Sequence, residues 1–200
     1  MEHRLPVLMG RRVMLREPTQ ADGEQLFAYT TDPLITRFLA FDSPRTIEDT
    51  RQFIQRCEEH RRQDREYVFV IADRGSDVPR GVTALRHLDP PARTAQIGTW
   101  VRRDDWGAGV NTESKALLLD YAFNVLDLHR IEARIAIANH RSRRAFERLG
   151  GRREGTLKES FYKDGAFHDQ GLYAILSTEW QSRGGGAALL QSLPGAEADA

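Results

Sequence analysis

Residues Gln96–Thr112 read QIGTWVRRDDWGAGVNT, and the order of elements they predict decides the fold. Residues 94–101 alternate as a strand does, with Ala95, Ile97, Thr99 and Val101 on one face and Gln96, Gly98 and Trp100 on the other. A charged turn leads into the glycine-rich loop WGAG, which opens onto a long apolar stretch of helical period. Such a loop offers unpaired backbone N–H groups and the positive end of a helix dipole, so it can cradle a phosphate or diphosphate. The two commonest phosphate signatures do not fit. The third glycine and early βαβ setting of a dinucleotide fingerprint are missing, as is the Gly-Lys-Ser/Thr of a P-loop. Two glycines before a helix also serve as plain turn and capping chemistry, so the loop alone leaves both readings open.

Downstream of the loop, Asn111 or Thr112 is placed to cap a helix with apolar residues at Ala116, Leu119, Phe123 and Leu126, a stripe widened by Leu117, Leu118, Ala122 and Val125. RIEARIAIAN then alternates as a strand with Ile131, Ala133, Ile135 and Ile137 on one side. Asn139 to Leu149 returns to helical period, with Ser142, Ala145, Phe146 and Leu149 on one stripe and Gly150-Gly151 as its stop. Two last strands, near Glu154–Tyr162 and Phe167–Leu176, meet at the hairpin signal Lys163-Asp164-Gly165.

Upstream, Arg11–Glu17 reads as a strand and Thr19–Tyr29 as a helix capped by Thr19. After Asp32-Pro33 the aromatic segment FLAFDSP is either a substrate wall or ordinary loop packing, and a charged helix runs from about Ile47 to Arg65. Tyr67–Ala72, Arg80–Leu88 and Thr94–Val101, separated by turn formers, form an antiparallel meander. Gly98, inside the third strand, is expected to mark a bulge that bends it away from a neighbour. From Ser182 onward the glycine-rich sequence reads as a mobile tail over 182–200, which leaves a single domain over 1–181.

The composition narrows the function. With 200 residues and 40% hydrophobic content the chain can bury one sizeable core. Lys plus Arg and Asp plus Glu both number 29, so no global field draws it toward nucleic acid or an anionic membrane, and neither is expected as a partner. Cys57 is the one cysteine, which rules out an intramolecular disulfide and a cysteine-rich metal site. The six histidines lack the i, i+4 spacing of a helical ligand pair, so no metal is expected. No stretch is long and apolar enough to span a membrane, and MEHRLPVLMGRR lacks a signal-peptide core, which predicts a cytoplasmic protein.

From Trp106 to Trp180 the linked motifs WGAGVN, IAIANHRSRRAFERLGG and the closing hairpin resemble the coenzyme-A-binding half of GNAT N-acetyltransferases of the RimJ/RimL type, and RRVMLREPTQAD resembles that family's opening strand and helix start. The resemblance implies an α+β GNAT fold: about seven mostly antiparallel strands, splayed between the fourth and fifth, with about four flanking helices. Those two strands are Thr94 to Arg102 and Arg130 to Ala138. It implies acetyl-CoA as acyl donor, without a metal, and a primary amine as acceptor, on a protein or peptide N-terminus or a small molecule such as a polyamine or antibiotic. The resemblance further implies direct attack of the amine on the thioester, with both substrates bound together. A homodimer is left open.

Residue by residue, the resemblance gives the pyrophosphate to the main chain of Trp106, Gly107, Ala108, Gly109, Val110, Asn111 and Thr112. It gives the thioester carbonyl to a main-chain N–H among Trp100, Val101 and Arg102, the cofactor arm to Asn139, and the departing sulfur to Ser142 as proton donor. Trp106 and Asn111 depart from the usual polar and small residues of the loop. Phe146 stands where many relatives carry tyrosine, and Gln96 where they often carry glutamate, so neither role transfers. Glu66, Asp42 and Asp89 fall near the acceptor side, and water-mediated deprotonation of the amine is the working choice. The same residues leave two alternatives: a noncatalytic acyl-CoA sensor, and a nucleotide-binding protein that would respond to nucleoside diphosphates but not to CoA.

Overall fold

The computed structural model describes residues 4–192. The chain runs β1 (Leu8–Met9), β2 (Val13–Arg16), α1 (Gly23–Thr30), α2 (Pro33–Thr36), α3 (Ile47–Arg62), β3 (Glu66–Asp73), β4 (Pro79–Asp89), β5 (Thr94–Val101), α4 (Val110–Asn124), β6 (Arg130–Ala136), α5 (His140–Arg148), β7 (Arg152–Lys163), β8 (Ala166–Leu176), α6 (Ser177–Ser182) and α7 (Gly185–Ser192). The strands make one sheet in the order β1-β2-β3-β4-β5-β6-β8-β7, antiparallel except for the β5–β6 pair. This is the expected mixed α+β architecture. The eight strands and seven helices of the described residues exceed the expected counts, through the two-residue β1 and short helices that period alone does not reveal.

Alternation along the strands builds a core on each face. Phe69 and Ile71 join Leu15, Leu85, Ile97 and the apolar residues of α4, while Val68, Val70, Val82 and Ala84 pack with Leu26 of α1 and Ile54 of α3. Both faces of β3 are therefore covered, which is why YVFVIA is an unbroken apolar run. α4 is buried nearly all round, with Leu118 and Leu119 wholly enclosed. Val125, assigned to its apolar stripe, lies just past the helix end and is 67% exposed.

Two expectations are corrected. The β4–β5 register is unbroken from Gly81↔Val101 to Arg86↔Gln96, so Gly98 makes no bulge; the irregularity lies between Arg86 and Asp89. The glycine-rich segment after Ser182 forms α7 as far as Ser192, folded back on α4. Gly184 and Gly185 have φ of 83° and 61° and supply the reversal. The Asp120 carboxylate then accepts from Gly186 N at 3.0 Å and Trp180 Nε1 at 2.7 Å. The remainder of the expected tail, 193–200, lies outside the described residues.

Candidate active site

β5 and β6 pair only at their beginnings, Thr94–Gln96 against Arg130–Glu132. Beyond that they part, while β5 stays with β4 to Val101 and β6 stays with β8 to Ala136. The sheet is thus two half-sheets joined at one short seam. In an antiparallel ladder successive residues point their backbone groups to opposite edges. Arg102 N donates to Arg80 O at 2.7 Å and Thr83 Oγ1 to Gly98 O at 3.4 Å, so the even-numbered residues of β5 face β4. Ile97, Thr99 and Val101 therefore turn their backbone groups to the parted side. Of the three residues expected to supply a carbonyl donor, Val101 has its N–H there. The Trp100 N–H faces β4, and Arg102 is committed to Arg80 O and, through Nε, to Asp105 at 2.6 Å.

The parting opens into a cavity of about 920 Å3. Trp100, Val101, Trp106, Gly107, Ala108, Gly109, Asn111, Thr112, Asn139 and Ser142 all border it. Arg102 and Val110 do not, and the Val110 side chain is buried in the core. Gly107 and Gly109 have φ of 87° and 84°, the left-handed conformation glycine adopts without strain. Gly109, rather than Asn111 or Thr112, is the N-cap of α4; Asn111 lies in the first turn and accepts from Lys115 Nζ at 2.8 Å. Burial pushes the Lys115 ammonium down to about 8.

Four arginines give the cavity its sign. Arg141, Arg144 and Arg148 project from one face of α5, at helical spacings of three and four that the sequence displays but that sequence reading passed over. The Arg141 guanidinium lies 3.3 Å from the centroid of the Trp106 ring, whose Nε1 donates to Val101 O at 3.0 Å. Trp106, the departure from the usual loop residue, thus fastens the loop to the end of β5 and carries a cation. Arg12 arrives from the β1–β2 turn, its Nη1 donating to Ala108 O at 2.7 Å. Behind it, wholly buried Glu113 accepts from Arg11 N at 2.6 Å and Arg12 N at 2.8 Å. Nothing local in the sequence signals this contact, because Arg12 and the loop are far apart in the chain.

On α5, Asn139 is the N-cap and accepts from Ser142 N at 3.1 Å, which holds Ser142 at the cavity wall. Phe146 is enclosed and meets Tyr173 edge-to-face at 6.2 Å. The Tyr173 hydroxyl is buried without a hydrogen-bond partner among the described residues.

A second cavity, about 540 Å3, lies on the opposite face of the sheet between α1, α3 and the strands, and Trp100 borders both. The segment after α2 spans the two, Phe38 and Leu39 on the first cavity and Phe41 and Asp42 on the second. It is pinned by Lys163, whose buried Nζ donates to Phe41 O at 2.9 Å and Asp42 Oδ1 at 2.7 Å. FLAFDSP is therefore a wall of both cavities. Asp42, 94% exposed, is held below the usual carboxylate range by Lys163. Glu66 borders the second cavity, bound by Arg86 at 2.6 Å and His60 at 3.2 Å, whereas Asp89 does not border it and accepts from Ala92 N. The Cys57 thiol there is pushed up to about 12, by burial first, so it is no nucleophile at neutral pH. No cluster of metal-binding side chains occurs among the described residues, and no helix there is long and apolar enough to cross a membrane.

The sheet thus splits beside a glycine loop, with cationic walls on one face and a smaller groove on the other. The pattern of the acetyltransferase (GNAT) domain matches residues 12–152, so the chain belongs to the GNAT acetyltransferase family, in its RimJ/RimL-like branch. The family uses acetyl-CoA. Over 101 residues the chain is 36% identical to YdaF of Bacillus subtilis (strain 168), which bears a ribosomal N-acetyltransferase name; the match spans 50% of this chain and 55% of YdaF. It is 27% identical over 127 residues to the ribosomal-protein-serine acetyltransferase of Escherichia coli (strain K12), covering 64% of this chain and 70% of that one. In fold it matches the spermidine N-acetyltransferase from Vibrio cholerae, solved with CoA and spermine, with TM-score 0.76 at 21% identity over 85% of this chain and 98% of that chain.

Proposed function

We propose that this chain is an N-acetyltransferase that binds acetyl-CoA in the parting of β5 and β6 and acetylates a primary amine presented from the α1–α3 face. The observation that carries the reading is the cavity of about 920 Å3 where parted strand edges, a glycine loop at a helix start and four arginines converge. These features suit the three parts of coenzyme A. The backbone groups of Thr99, which face the parting, match a pantetheine amide. The N–H groups of Gly107, Gly109 and the first turn of α4 match the pyrophosphate, whereas those of Trp106 and Ala108 are spent on Arg103 O and Asp105 O. Arg12, Arg141, Arg144 and Arg148 match the remaining phosphate charge.

Bound there, acetyl-CoA supplies an activated acyl group that a neutral amine displaces from sulfur. Val101 N–H is directed to the carbonyl oxygen, where negative charge builds as the C–N bond forms. Ser142 stands where a hydroxyl donates to the thiolate released as the C–S bond breaks. The amine is mostly protonated at neutral pH, and with Glu66 engaged by Arg86 at 2.6 Å, water carries its proton away.

Acetyl-CoA at about 100 times its dissociation constant adds roughly 2.7 kcal/mol, a melting rise of about 5–10 °C for a chain of this size. Thiol release with amines then tests turnover. Ser142→Ala is expected to lower kcat at least about tenfold with the melting rise intact. Unchanged kcat removes the serine from the chemistry, and a melting rise without thiol release from any amine favours the noncatalytic sensor.

A further inference from the structure

The groove on the α1–α3 face has a charge order that selects among amines. Its end beside Trp100 carries the carboxylates of Asp42 and Asp49. Asp42 is paired with Lys163 Nζ at 2.7 Å, so Asp49, held below the usual carboxylate range by the backbone N–H groups of Thr46 and Arg45, is the open carboxylate of that end. Its floor is apolar, with Leu26, Phe41, Phe53 and Cys57 lining the middle. The far end carries Arg56, Arg65 and Arg86 with His60 and His87, against the single carboxylate of Glu66. Glu66 is taken up by Arg86 and His60, and no ion pair involves Arg56 or Arg65 among the described residues.

The two ends are well separated. Asp49 and His60 lie about 16 Å apart along α3 at ~1.5 Å per residue. Arg86 pairs with Gln96, about 13 Å back along β5 from Trp100 at ~3.3 Å per residue. The further cations of a polyamine would meet first the apolar floor and then the arginines.

We infer that the acceptor is the N-terminal amine of a peptide whose first side chains are apolar and which carries acidic side chains about four residues in. The amine lies at the Trp100 end beside Asp42 and Asp49, and the acidic side chains meet Arg56 and Arg65. This rests on the acetyltransferase reading and adds its substrate class.

The test is thiol release from acetyl-CoA with the C-terminally amidated peptides Ala-Phe-Leu-Glu-Glu, Ala-Phe-Leu-Gln-Gln and Ala-Phe-Leu-Lys-Lys, and with spermidine. The expected order of kcat/KM is Glu above Gln above Lys, carried by KM and spanning about tenfold, since exposed ion pairs are weak. The span is expected to narrow as salt rises. The double variant R56E/R65E inverts the order and R56Q/R65Q levels it, both with the melting rise by acetyl-CoA retained. Turnover of the lysine peptide or spermidine as fast as the glutamate peptide by the unaltered protein overturns the inference and leaves the acetyltransferase reading standing. Thiol release from no acceptor, with acetyl-CoA still raising the melting point, overturns both.

Discussion

Glu113 is the residue whose removal should be felt furthest from its own position. Its carboxylate is fully buried, one oxygen accepts from Arg11 N at 2.6 Å and Arg12 N at 2.8 Å, and the other lies 3.5 Å from Arg12 Nε. Hydrogen bonds to a charged acceptor contribute about 1.5–3 kcal/mol each, so Glu113→Ala should cost about 3–6 kcal/mol, a large share of a typical domain's stability. Glu113→Gln keeps an acceptor without the charge and should cost about half as much. Urea unfolding followed by fluorescence reads the effect as a midpoint lowered by at least about 1 M for Glu113→Ala. Because Arg12 in turn holds the Ala108 carbonyl, the melting rise with acetyl-CoA should shrink as well. A loss below about 1 kcal/mol for Glu113→Ala would refute the assignment of Glu113 as the anchor of the β1–β2 turn.

Two other predictions concern buried polar atoms. The folded pKa of Lys115, about 8, lies below its unfolded value, so the unfolded chain binds the extra proton between pH 8 and about 10.5 and stability rises with pH across that window. Lys115→Met should therefore be more stable than the unaltered protein at pH 7, by an amount on the order of 3 kcal/mol that fades by pH 10.5; a difference independent of pH would contradict the buried-charge account. Tyr173→Phe removes a buried hydroxyl with no partner among the described residues and should stabilise the fold by about 1 kcal/mol in the same urea assay, and a loss of stability would mean that the hydroxyl is bonded in solution.

The sequence reading went furthest where pattern is local. Turn formers at Asp73–Pro79 and Asp89–Arg93 delimit the meander, and period-two alternation places β5 and β6 within a residue or two of their bounds. The hairpin at Asp164 and Gly165 has positive φ at both, as its residues predict. Gly98 misled because a glycine inside a strand signals a bulge only on average; here an added Cβ would meet nothing within 4 Å, and the parting arises because each half-sheet follows its own partner. Arg12 beneath the loop and Lys163 on the Phe41 carbonyl were not legible, since both are contacts across more than ninety residues. α7 escaped notice because AALLQS is too short to show a period, and its place depends on Asp120, set in the middle of another helix.

α7 also bears on how the chain can be shortened. Its Leu189 closes one side of the cavity that also holds Arg12 and Arg148, and Leu190 packs on the core. Proteolysis or truncation just after Ser182 would leave every strand intact yet strip that side away and uncover the Asp120 carboxylate. A fragment ending there should retain its secondary structure by circular dichroism while losing its grip on the acyl donor.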